Sequence, residues 1–352
     1  MYPALAVLNA LQGKADPVLW VGSEKGMEVD LITRAGLPYK AIPAAGVHGV
    51  GIRSLPGNLY QLARGYQTAR AVLRDFNPDV LLFTGGYVAV PMALAARRYK
   101  SVLYVPDIEP GLALKTLARF SSHIAITCDD TRQFLKKNVP VTVTGYPTRP
   151  ELAGMEKTGA RKQLGLDQKA PVLLVFGGSK GAQTINQAVL QCLEKLLEQT
   201  QVVHITGQTD WEMVNSAAEN LPRNLRVRYH AHSYLHEDMG AALASADLAI
   251  CRAGASTLGE LPLFGLPAVL VPYPYAWRYQ KVNADYLARH GAAVVVEDAR
   301  MKAELLQTIR SLLNDPARLR KMQSAMRTLA VKDAAGNIAR IVLETAEKRT
   351  RD

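Results

Sequence analysis

Short apolar runs alternate with helical stretches along most of this 352-residue chain, and this alternation restricts the fold more than any other feature. The runs at residues 80–83 and 172–176 are typical of buried strands, and a helical stretch at residues 59–75 precedes the first of them. Parallel strands need long crossover connections, which are usually helical. The order therefore predicts an α/β protein with doubly wound parallel sheets.

A polar segment near residue 150, with several prolines and glycines, interrupts the pattern before it restarts. We expect a Rossmann-like first domain over residues 1–148 and a second over residues 149–333. Residues 334–352 should form a C-terminal helix, and the composition leaves open whether it crosses back to the first domain. Two such domains would face a cleft, and ligands bind at the carboxyl ends of the strands.

Composition narrows the class of protein. No apolar run is long enough to cross a bilayer, and the three cysteines lack metal-ligand spacing, so we expect a soluble protein with reduced thiols. The formal net charge of +11 favours phosphorylated ligands or an anionic membrane surface, although a basic solvated surface explains it equally well. No RNA-recognition signature or zinc-finger spacing is present, so we expect no nucleic acid partner.

The chain begins with a helical stretch, residues 2–11, that leads into a short apolar strand at residues 17–22. A helix followed by a strand is the second half of a strand–helix–strand unit. We therefore expect a first strand upstream of residue 1, in the middle of the first sheet. Without that strand, two strand edges would be left unpaired.

The segment PVLLVFGGSKGAQTIN is the strongest local motif. A strand ends at Phe176, a helix starts near Ala182, and Gly178 and Gly181 lie in the loop between them. Glycines let the backbone approach a phosphate, which the free N–H groups of the helix start then bind. Ser179 adds a hydroxyl group. A tight turn that binds nothing explains the glycines equally well.

A second loop, in DLAICRAGASTLGE, follows another strand and places Ala255, Ser256 and Thr257 before a helix that contains Glu260. Small residues with hydroxyls suit a phosphate or a sugar, and the carboxylate can accept hydrogen bonds from two ribose hydroxyls. A helix N-cap with a capping box is the alternative. Two such loops at matching strand ends favour a nucleotide diphosphate. The linker residue Arg149 could neutralise its charge, although a solvated arginine is the commoner case in a linker.

Seven segments, in this order, resemble the MurG family of GT-B glycosyltransferases: YPALAV, TGGYVAVP, YPTR, GGSKGAQTIN, CRAGASTLGE, LPAVLVPYP and QKVNADYL. Each is weak alone, but the ordered set covers almost the whole chain and is specific. The resemblance implies a GT-B fold and transfer of N-acetylglucosamine (GlcNAc) from UDP-GlcNAc to an undecaprenyl-pyrophosphoryl MurNAc-pentapeptide. This step belongs to bacterial peptidoglycan synthesis, and hence to cell wall biogenesis, cell shape and cell division.

The resemblance also implies which residues bind each substrate. The donor would be bound by residues of the second domain: Arg149, Gly178, Ser179, Gly181, Ala255, Ser256, Thr257, Glu260 and Gln280. Within this set, Glu260 would hold the ribose and Gln280 the GlcNAc hydroxyls, while the uracil would lie near Leu235 or His236. The lipid pyrophosphate would face residues of the first domain: Gly85, Gly86 and Tyr87.

Three positions depart from the family pattern. Tyr279 replaces a glutamine next to Gln280, which puts the sugar selectivity in question. In the segment YVPD, Asp107 stands where the family has an asparagine, and Val105 where it has a glutamate. Asp107 and nearby Glu109 are candidates for a base or a sugar contact, although capping of the following helix explains them equally well.

In the family, YPALAV follows a first strand and a GTGGH-like loop, whose histidine is the proposed general base. This chain starts just after that position. We therefore expect a truncated or misassigned start, and the alternative is a degenerate member that binds the nucleotide but transfers poorly. The resemblance therefore identifies no catalytic base in this chain, and the base is unknown.

For a complete enzyme, the resemblance implies inversion at the sugar C1 by a MurNAc hydroxyl that loses its proton to a base. No Asp-x-Asp motif is present, so we expect no cofactor and no essential metal. The stretch at residues 48–74 mixes apolar positions with arginines, which suits peripheral binding at the cytoplasmic face of the membrane. A solvated amphipathic helix of the first domain is the alternative.

Two further functions remain open. A GT-B enzyme that glycosylates another lipid, such as diacylglycerol, is compatible with Tyr279 and the altered YVPD segment. An NAD-dependent oxidoreductase would also have a glycine-rich strand–helix turn. It fits less well, because the next strand offers His204 where an acidic residue is expected.

Overall fold

The computed structural model describes residues 2–24, 28–45, 55–136, 138–152, 154–178, 181–235, 237–276 and 278–347. The chain forms two compact units. Unit 1 contains Met1–Pro147 and Asp333–Asp352, and unit 2 contains Thr148–Lys332. Among the described helices, none is long and apolar enough to cross a membrane.

Unit 1 is an α/β unit in which helices and strands alternate. Its elements are α1 (Tyr2–Ala10), β1 (Trp20–Ser23), α2 (Glu28–Arg34), β2 (Tyr39–Ile42), α3 (Leu55–Phe76), β3 (Val80–Phe83), α4 (Ala89–Ala95), β4 (Lys100–Val105), α5 (Leu112–Leu117), β5 (His123–Ile126), a 3-10 helix (Asp129–Phe134), β6 (Val141–Val143) and the final helix of the chain, α16 (Ala334–Glu347).

Every strand pair of unit 1 is parallel, but the described strands form two separate sheets. One contains β1 and β2, and the other has the order β3-β4-β5-β6. Within the described residues, β1 and β3 therefore each have one neighbouring strand. One face of the larger sheet packs on α3 and α4, and the other packs on α1 and α16, where Val7, Tyr104 and Ile338 share a core.

Unit 2 begins with a 3-10 helix (Pro150–Leu152) and repeats the same alternation. Its other elements are α6 (Lys157–Gln163), β7 (Val172–Phe176), α7 (Gln183–Gln191), α8 (Leu193–Leu197), β8 (Gln201–Ile205), α9 (Trp211–Glu219), α10 (Arg223–Arg226), β9 (Tyr229–His232), α11 (Met239–Ser245), β10 (Leu248–Cys251), α12 (Thr257–Phe264), β11 (Ala268–Leu270), α13 (Tyr279–Arg289), β12 (Ala293–Val295), a 3-10 helix (Asp298–Arg300), α14 (Met301–Leu313) and α15 (Pro316–Thr328).

The six strands of unit 2 form one parallel sheet with the order β12-β11-β10-β7-β8-β9. All residues of β7, β8 and β10 are buried, because helices cover both faces of the sheet. The chain runs outward from β7 to β9 and then returns to the other side of β7 with β10. The sheet therefore has a topological switch point between β7 and β10, where ligands bind in such folds.

The parallel pairing and the helical crossovers of both units confirm the α/β class and the doubly wound sheets predicted from the sequence. The sequence predicted domain boundaries after residues 148 and 333, and the structure divides the chain after residues 147 and 332.

Candidate functional site

The loops that follow β7 and β10 emerge side by side at the switch point of unit 2. The two strands pair in parallel, with Phe176 opposite Cys251, so their carboxyl ends lie at the same edge of the sheet. These loops are the two that the sequence singled out. The register of the sheet therefore brings both predicted nucleotide-binding segments together.

The glycine-rich loop after β7 requires glycine at three positions. A Cβ at Gly177 would meet the backbone of Ala182, and one at Gly181 would meet the Thr206 carbonyl oxygen. Gly178 and Gly181 have φ angles of +85° and +77°, which L side chains rarely adopt. The space beside Gly178 is open, so a ligand can approach its backbone closely.

Helix α7 starts directly after this loop with Ala182 at its N-cap position, and no side chain caps it. The first N–H groups of a helix lack intrahelical acceptors and carry partial positive charge, which favours a phosphate. The predicted contact Ser179 lies outside the described residues.

The loop after β10 has a different geometry. The Thr257 hydroxyl donates to the Gly254 carbonyl at 2.6 Å, and Ser256 at the N-cap position of α12 does not cap the helix with its side chain. The space beside Gly254 is open, as it is beside Gly178. Ala255 and Ser256 are half-buried, so this loop presents small groups beside an open space.

Glu260, one turn into α12, interacts with Arg149 and Ser256. Burial raises the pKa of its carboxyl, whereas the positive charge of Arg149 and a hydrogen bond from the Ser256 side chain lower it. A capping box, the alternative interpretation of this loop, would direct the two side chains to backbone N–H groups, whereas here the Ser256 hydroxyl interacts with the Glu260 carboxyl. The structure thus brings three of the predicted donor-binding residues together.

Gln280 lies in the first turn of α13, where its side-chain oxygen accepts a hydrogen bond from the backbone N–H of Tyr273 at 2.8 Å. The buried Asn283 donates to the Ala253 carbonyl at 3.1 Å and so ties α13 to the loop after β10. The sequence predicted a role for Gln280 but none for Asn283. Its place in the motif QKVNADYL was the available signal.

Arg252, the first residue after β10, joins several elements at this edge of the sheet. It donates to the Val271 carbonyl at 3.1 Å and to the Thr184 hydroxyl of α7 at 2.7 Å, and it pairs with Asp298. Its guanidinium also lies 5.2 Å from the centre of the Tyr273 ring. This arginine is part of the motif CRAGASTLGE, and the sequence predicted no role for it.

A second polar cluster lies beneath the glycine-rich loop. His204 of β8 is fully buried, with Nδ1 2.7 Å from the Tyr229 hydroxyl and Nε2 3.0 Å from Asn186 Oδ1. The Asn186 amide nitrogen donates to the Thr206 carbonyl at 2.9 Å and to Asp210 at 2.7 Å. Because that amide group donates on one side, its oxygen faces His204 and accepts from Nε2–H.

With Nε2–H donating to Asn186, a neutral imidazole leaves Nδ1 to accept from the Tyr229 hydroxyl. Burial lowers the pKa of His204 to about 3 and raises that of Tyr229, which keeps both groups uncharged. The cluster ties α7 to β8 and β9. It therefore supports the helix whose start follows the glycine-rich loop.

In unit 1, the predicted acceptor residues lie between β3 and α4. Gly85 and Gly86 have φ angles of +108° and +86°, and Tyr87 is 63% exposed. Asp107 follows β4, the strand paired with β3, so it lies at the same edge of that sheet. The half-buried Asp107 is close enough to the buried Tyr104 for its charge to contribute to a raised Tyr104 pKa, although burial is the main cause.

Glu109 is only 4% exposed, and Lys115 of α5 donates to its carboxylate at 3.1 Å. A buried carboxylate with a paired cation is typical of a structural ion pair. His236, predicted near the uracil, lies outside the described residues. Across the part of the chain that the structure describes, no three His, Cys, Asp or Glu side chains are placed to hold a metal ion.

Comparison with known proteins shows which family the chain belongs to. The model of the glycosyltransferase family 28 N-terminal domain matches residues 1–126, and that of the family 28 C-terminal domain matches residues 172–338. A protein of Roseiflexus sp. (strain RS-1) is 40% identical, with 98% of this chain and 92% of that protein covered. It is a UDP-N-acetylglucosamine--N-acetylmuramyl-(pentapeptide) pyrophosphoryl-undecaprenol N-acetylglucosamine transferase.

The chain belongs to the MurG family of glycosyltransferases. A transferase of the same name from Desulforudis audaxviator (strain MP104C) is 36% identical over 100% of this chain and 96% of its own. The crystal structure of Acinetobacter baumannii MurG superimposes with a TM-score of 0.78 at 27% identity, covering 97% of this chain and 95% of that one. The GT-B fold and the family predicted from the seven motifs are therefore confirmed.

Proposed function

We propose that this protein is an inverting glycosyltransferase that moves GlcNAc from UDP-GlcNAc to an undecaprenyl-pyrophosphoryl MurNAc-pentapeptide. Its place in the MurG family supports the reaction. The observation that carries the donor assignment is the pair of loops at the switch point of unit 2, with open space beside Gly178 and Gly254 and with Arg149, Ser256 and Glu260 in one cluster.

The diphosphate of the donor binds at the start of α7. The uncapped N-terminus of this helix supplies N–H donors, and Gly178 and Gly181 keep Cβ atoms away from the phosphates. Arg149 adds a positive charge near Glu260. When the bond between the sugar C1 and the phosphate oxygen breaks, negative charge develops on UDP. The helix start and Arg149 stabilise that charge.

Glu260 accepts hydrogen bonds from the ribose hydroxyls of the uridine. Arg149 and the Ser256 hydroxyl favour the ionised form of the carboxyl, against the effect of burial. An ionised carboxylate has two oxygens and can accept from two vicinal hydroxyls at once. Ala255, Ser256 and Thr257 line the nucleotide, and Gln280 contacts the GlcNAc hydroxyls.

The acceptor pyrophosphate binds at the loop of Gly85, Gly86 and Tyr87 in unit 1. The attacking group is a MurNAc hydroxyl, which transfers its proton to a base as it bonds to C1. Glu109 is held by Lys115 and suits a structural role. Of the two carboxylates that the sequence offered, Asp107 is the better candidate for contact with a substrate.

We also propose peripheral binding to the cytoplasmic face of the membrane through α3. Ala69 and Leu73 of this helix pack into the core of unit 1, whereas Leu59 and Tyr60 are 55% and 63% exposed. Arg64 lies 5.9 Å from the centre of the Tyr60 ring. Exposed apolar and aromatic side chains with basic neighbours suit an anionic lipid surface.

The test is transfer of labelled GlcNAc from UDP-GlcNAc to a lipid-linked MurNAc-pentapeptide, with diacylglycerol as a second acceptor and UDP affinity measured by calorimetry. We expect UDP binding, no NAD binding and glycosylation of the MurNAc lipid alone. Transfer to diacylglycerol alone would overturn the acceptor assignment. UDP binding without transfer to either lipid would support the degenerate binder, and NAD binding in place of UDP would overturn the whole proposal.

Membrane binding is tested by sedimentation with vesicles of phosphatidylglycerol and phosphatidylcholine. Tyr60→Ser should reduce the bound fraction, while Tyr275→Ser, the same change at an exposed tyrosine of unit 2, should leave it unchanged. An unchanged bound fraction for Tyr60→Ser would contradict binding through α3.

A further inference from the structure

We infer that Arg252 is a positioning residue of the donor site, a role that rests on the proposed function. Its guanidinium holds the first turn of α7 and the loop between β11 and α13 in the arrangement that binds UDP-GlcNAc. Arg252 lies directly after β10, at the switch point of the sheet. It acts through the residues that it binds.

The first contact is with the helix that receives the diphosphate. Arg252 donates to the Thr184 hydroxyl at 2.7 Å, and Thr184 lies in the first turn of α7. The same hydroxyl donates to Asp298 at 2.9 Å, and Asp298 also pairs with Arg252. The three side chains form a closed triangle. Because each member binds the other two, the start of α7 cannot shift without breaking two of these contacts.

The second contact is with the loop that carries Gln280. Arg252 donates to the Val271 carbonyl at the end of β11, and its guanidinium stacks over the Tyr273 ring at 5.2 Å. The backbone N–H of Tyr273 in turn donates to the side-chain oxygen of Gln280 at 2.8 Å. One guanidinium thus connects both sides of the predicted donor site.

Charge and burial indicate that Arg252 acts as a support and not as a phosphate ligand. The side chains of Arg252 and Asp298 are 10% and 17% exposed, so the ion pair is largely removed from water. The carboxylate of Asp298 neutralises the guanidinium charge within that pair. A planar fork with several donors can bind a carboxylate, a carbonyl and a hydroxyl simultaneously, which a lysine ammonium cannot reproduce in the same geometry.

Unit 2 provides a matched control at the opposite edge of its sheet. Arg161 of α6 is 5% exposed, pairs with Asp247 at 2.7 Å and donates to two backbone carbonyls, those of Ser245 and Gln168. Like Arg252, it pairs with an aspartate and donates to backbone carbonyl oxygen, whereas Arg252 also contacts the Thr184 hydroxyl and the Tyr273 ring. Asp247 precedes β10 and Arg252 follows it, so Arg161 lies at the end of β10 away from the predicted donor loops.

The experiment compares Arg252→Lys with Arg161→Lys in the full chain. Both variants keep the positive charge but lose the planar guanidinium with its several N–H donors. We measure the Kd for UDP, the KM for UDP-GlcNAc, the KM for the lipid acceptor and the melting temperature. We expect Arg252→Lys to raise the Kd for UDP and the KM for UDP-GlcNAc roughly 10- to 100-fold, with the acceptor KM unchanged. Arg161→Lys should lower the melting temperature without changing any of the binding parameters.

Thr184→Val provides a third variant at an exposed position, where folding is not at risk. It should raise the same donor parameters by a smaller factor. Unchanged donor parameters in Arg252→Lys and Thr184→Val, or an equal rise in Arg161→Lys, would overturn the inference. If the chain without substitutions failed to bind UDP, the proposed function itself would be wrong. Failure of the proposed function is therefore distinguishable from failure of the inference about Arg252.

Discussion

Replacing His204 tests the buried cluster beneath the glycine-rich loop, because this cluster requires a neutral imidazole. Its Nε2–H donates to Asn186, and its Nδ1 accepts from the Tyr229 hydroxyl. A second proton on the ring would turn Nδ1 into a donor, so the Tyr229 hydroxyl would have to turn its own hydrogen away from this bond. The second proton would also place an unpaired positive charge where the side chain has no exposed surface.

The size of the effect follows from the two pKa values of His204. Burial lowers its pKa to about 3 in the folded chain, against about 6.5 for an unfolded histidine. Below about pH 6.5 the unfolded state binds a proton that the folded state does not, so the free energy of unfolding falls with pH until about pH 3. From about pH 7.5 to about pH 5 the loss is about 2 kcal/mol, and it stays near that value for any folded pKa below about 4.

The variant for this test is His204→Gln, which cannot titrate. We expect it to be less stable than the unchanged chain at about pH 7.5, by roughly 1–3 kcal/mol, because the hydrogen bonds to its neighbours are disturbed. Between about pH 7.5 and about pH 5 it should lose about 2 kcal/mol less than the unchanged chain. Burial also lowers the pKa values of His230 and His232, so only the difference between the two proteins isolates His204.

The assay is urea unfolding followed by tryptophan fluorescence. The sequence has three tryptophans, and Trp20 is the one outside unit 2. A Trp20→Phe background therefore restricts the signal to unit 2. His290→Gln removes an exposed imidazole of the same unit and controls for the loss of one titratable side chain. If His204→Gln and the chain without substitutions lost the same free energy of unfolding between the two pH values, the conclusion that His204 is buried as a neutral imidazole would be refuted.

Three further predictions concern the proposed sites. Gly181→Ala should weaken UDP binding, measured by calorimetry, and should destabilise unit 2 by about 1–3 kcal/mol in urea unfolding. The reason is that Gly181 has a φ angle of +77° and that a Cβ there would meet the Thr206 carbonyl oxygen. An unchanged affinity for UDP would contradict this prediction. Glu260→Gln should bind UDP more weakly while 2′-deoxy-UDP affinity changes little, whereas equal losses would exclude a ribose contact. Glu109→Gln should keep its kcat, because Glu109 pairs with Lys115; loss of kcat with an unchanged melting temperature would make Glu109 catalytic.

The fold class could be predicted from the sequence because buried parallel strands leave a strong pattern. Val172–Phe176 is a continuous apolar run, and all five of its residues are buried in the structure. The tight turn at the loop glycines was also predictable, since a strand followed by glycines and a helix indicates a close turn. The positive φ angles of Gly178 and Gly181 give the physical reason.

The residues that hold the site in place could not be predicted in the same way. Arg252 and Asp298 are 46 residues apart, and a single sequence carries no sign of which carboxylate an arginine will meet. His204 gave a weak signal as a polar residue in an apolar strand, but its partners depend on the register of β8 with β9 and on the placement of α7. The roles of Arg149, Gln280 and the acceptor loop stay predictions.

The position of α16 restricts the order in which the two units can fold during translation. The core shared by Val7, Tyr104 and Ile338 combines the first helix, a central strand and the last helix of the chain. All of unit 2 is synthesised between Tyr104 and Ile338, and its own core uses only residues from within its range. Unit 2 can therefore complete its core during translation. Unit 1 cannot complete its core until α16 has left the ribosome, because α16 packs beside α1 on one face of its larger sheet.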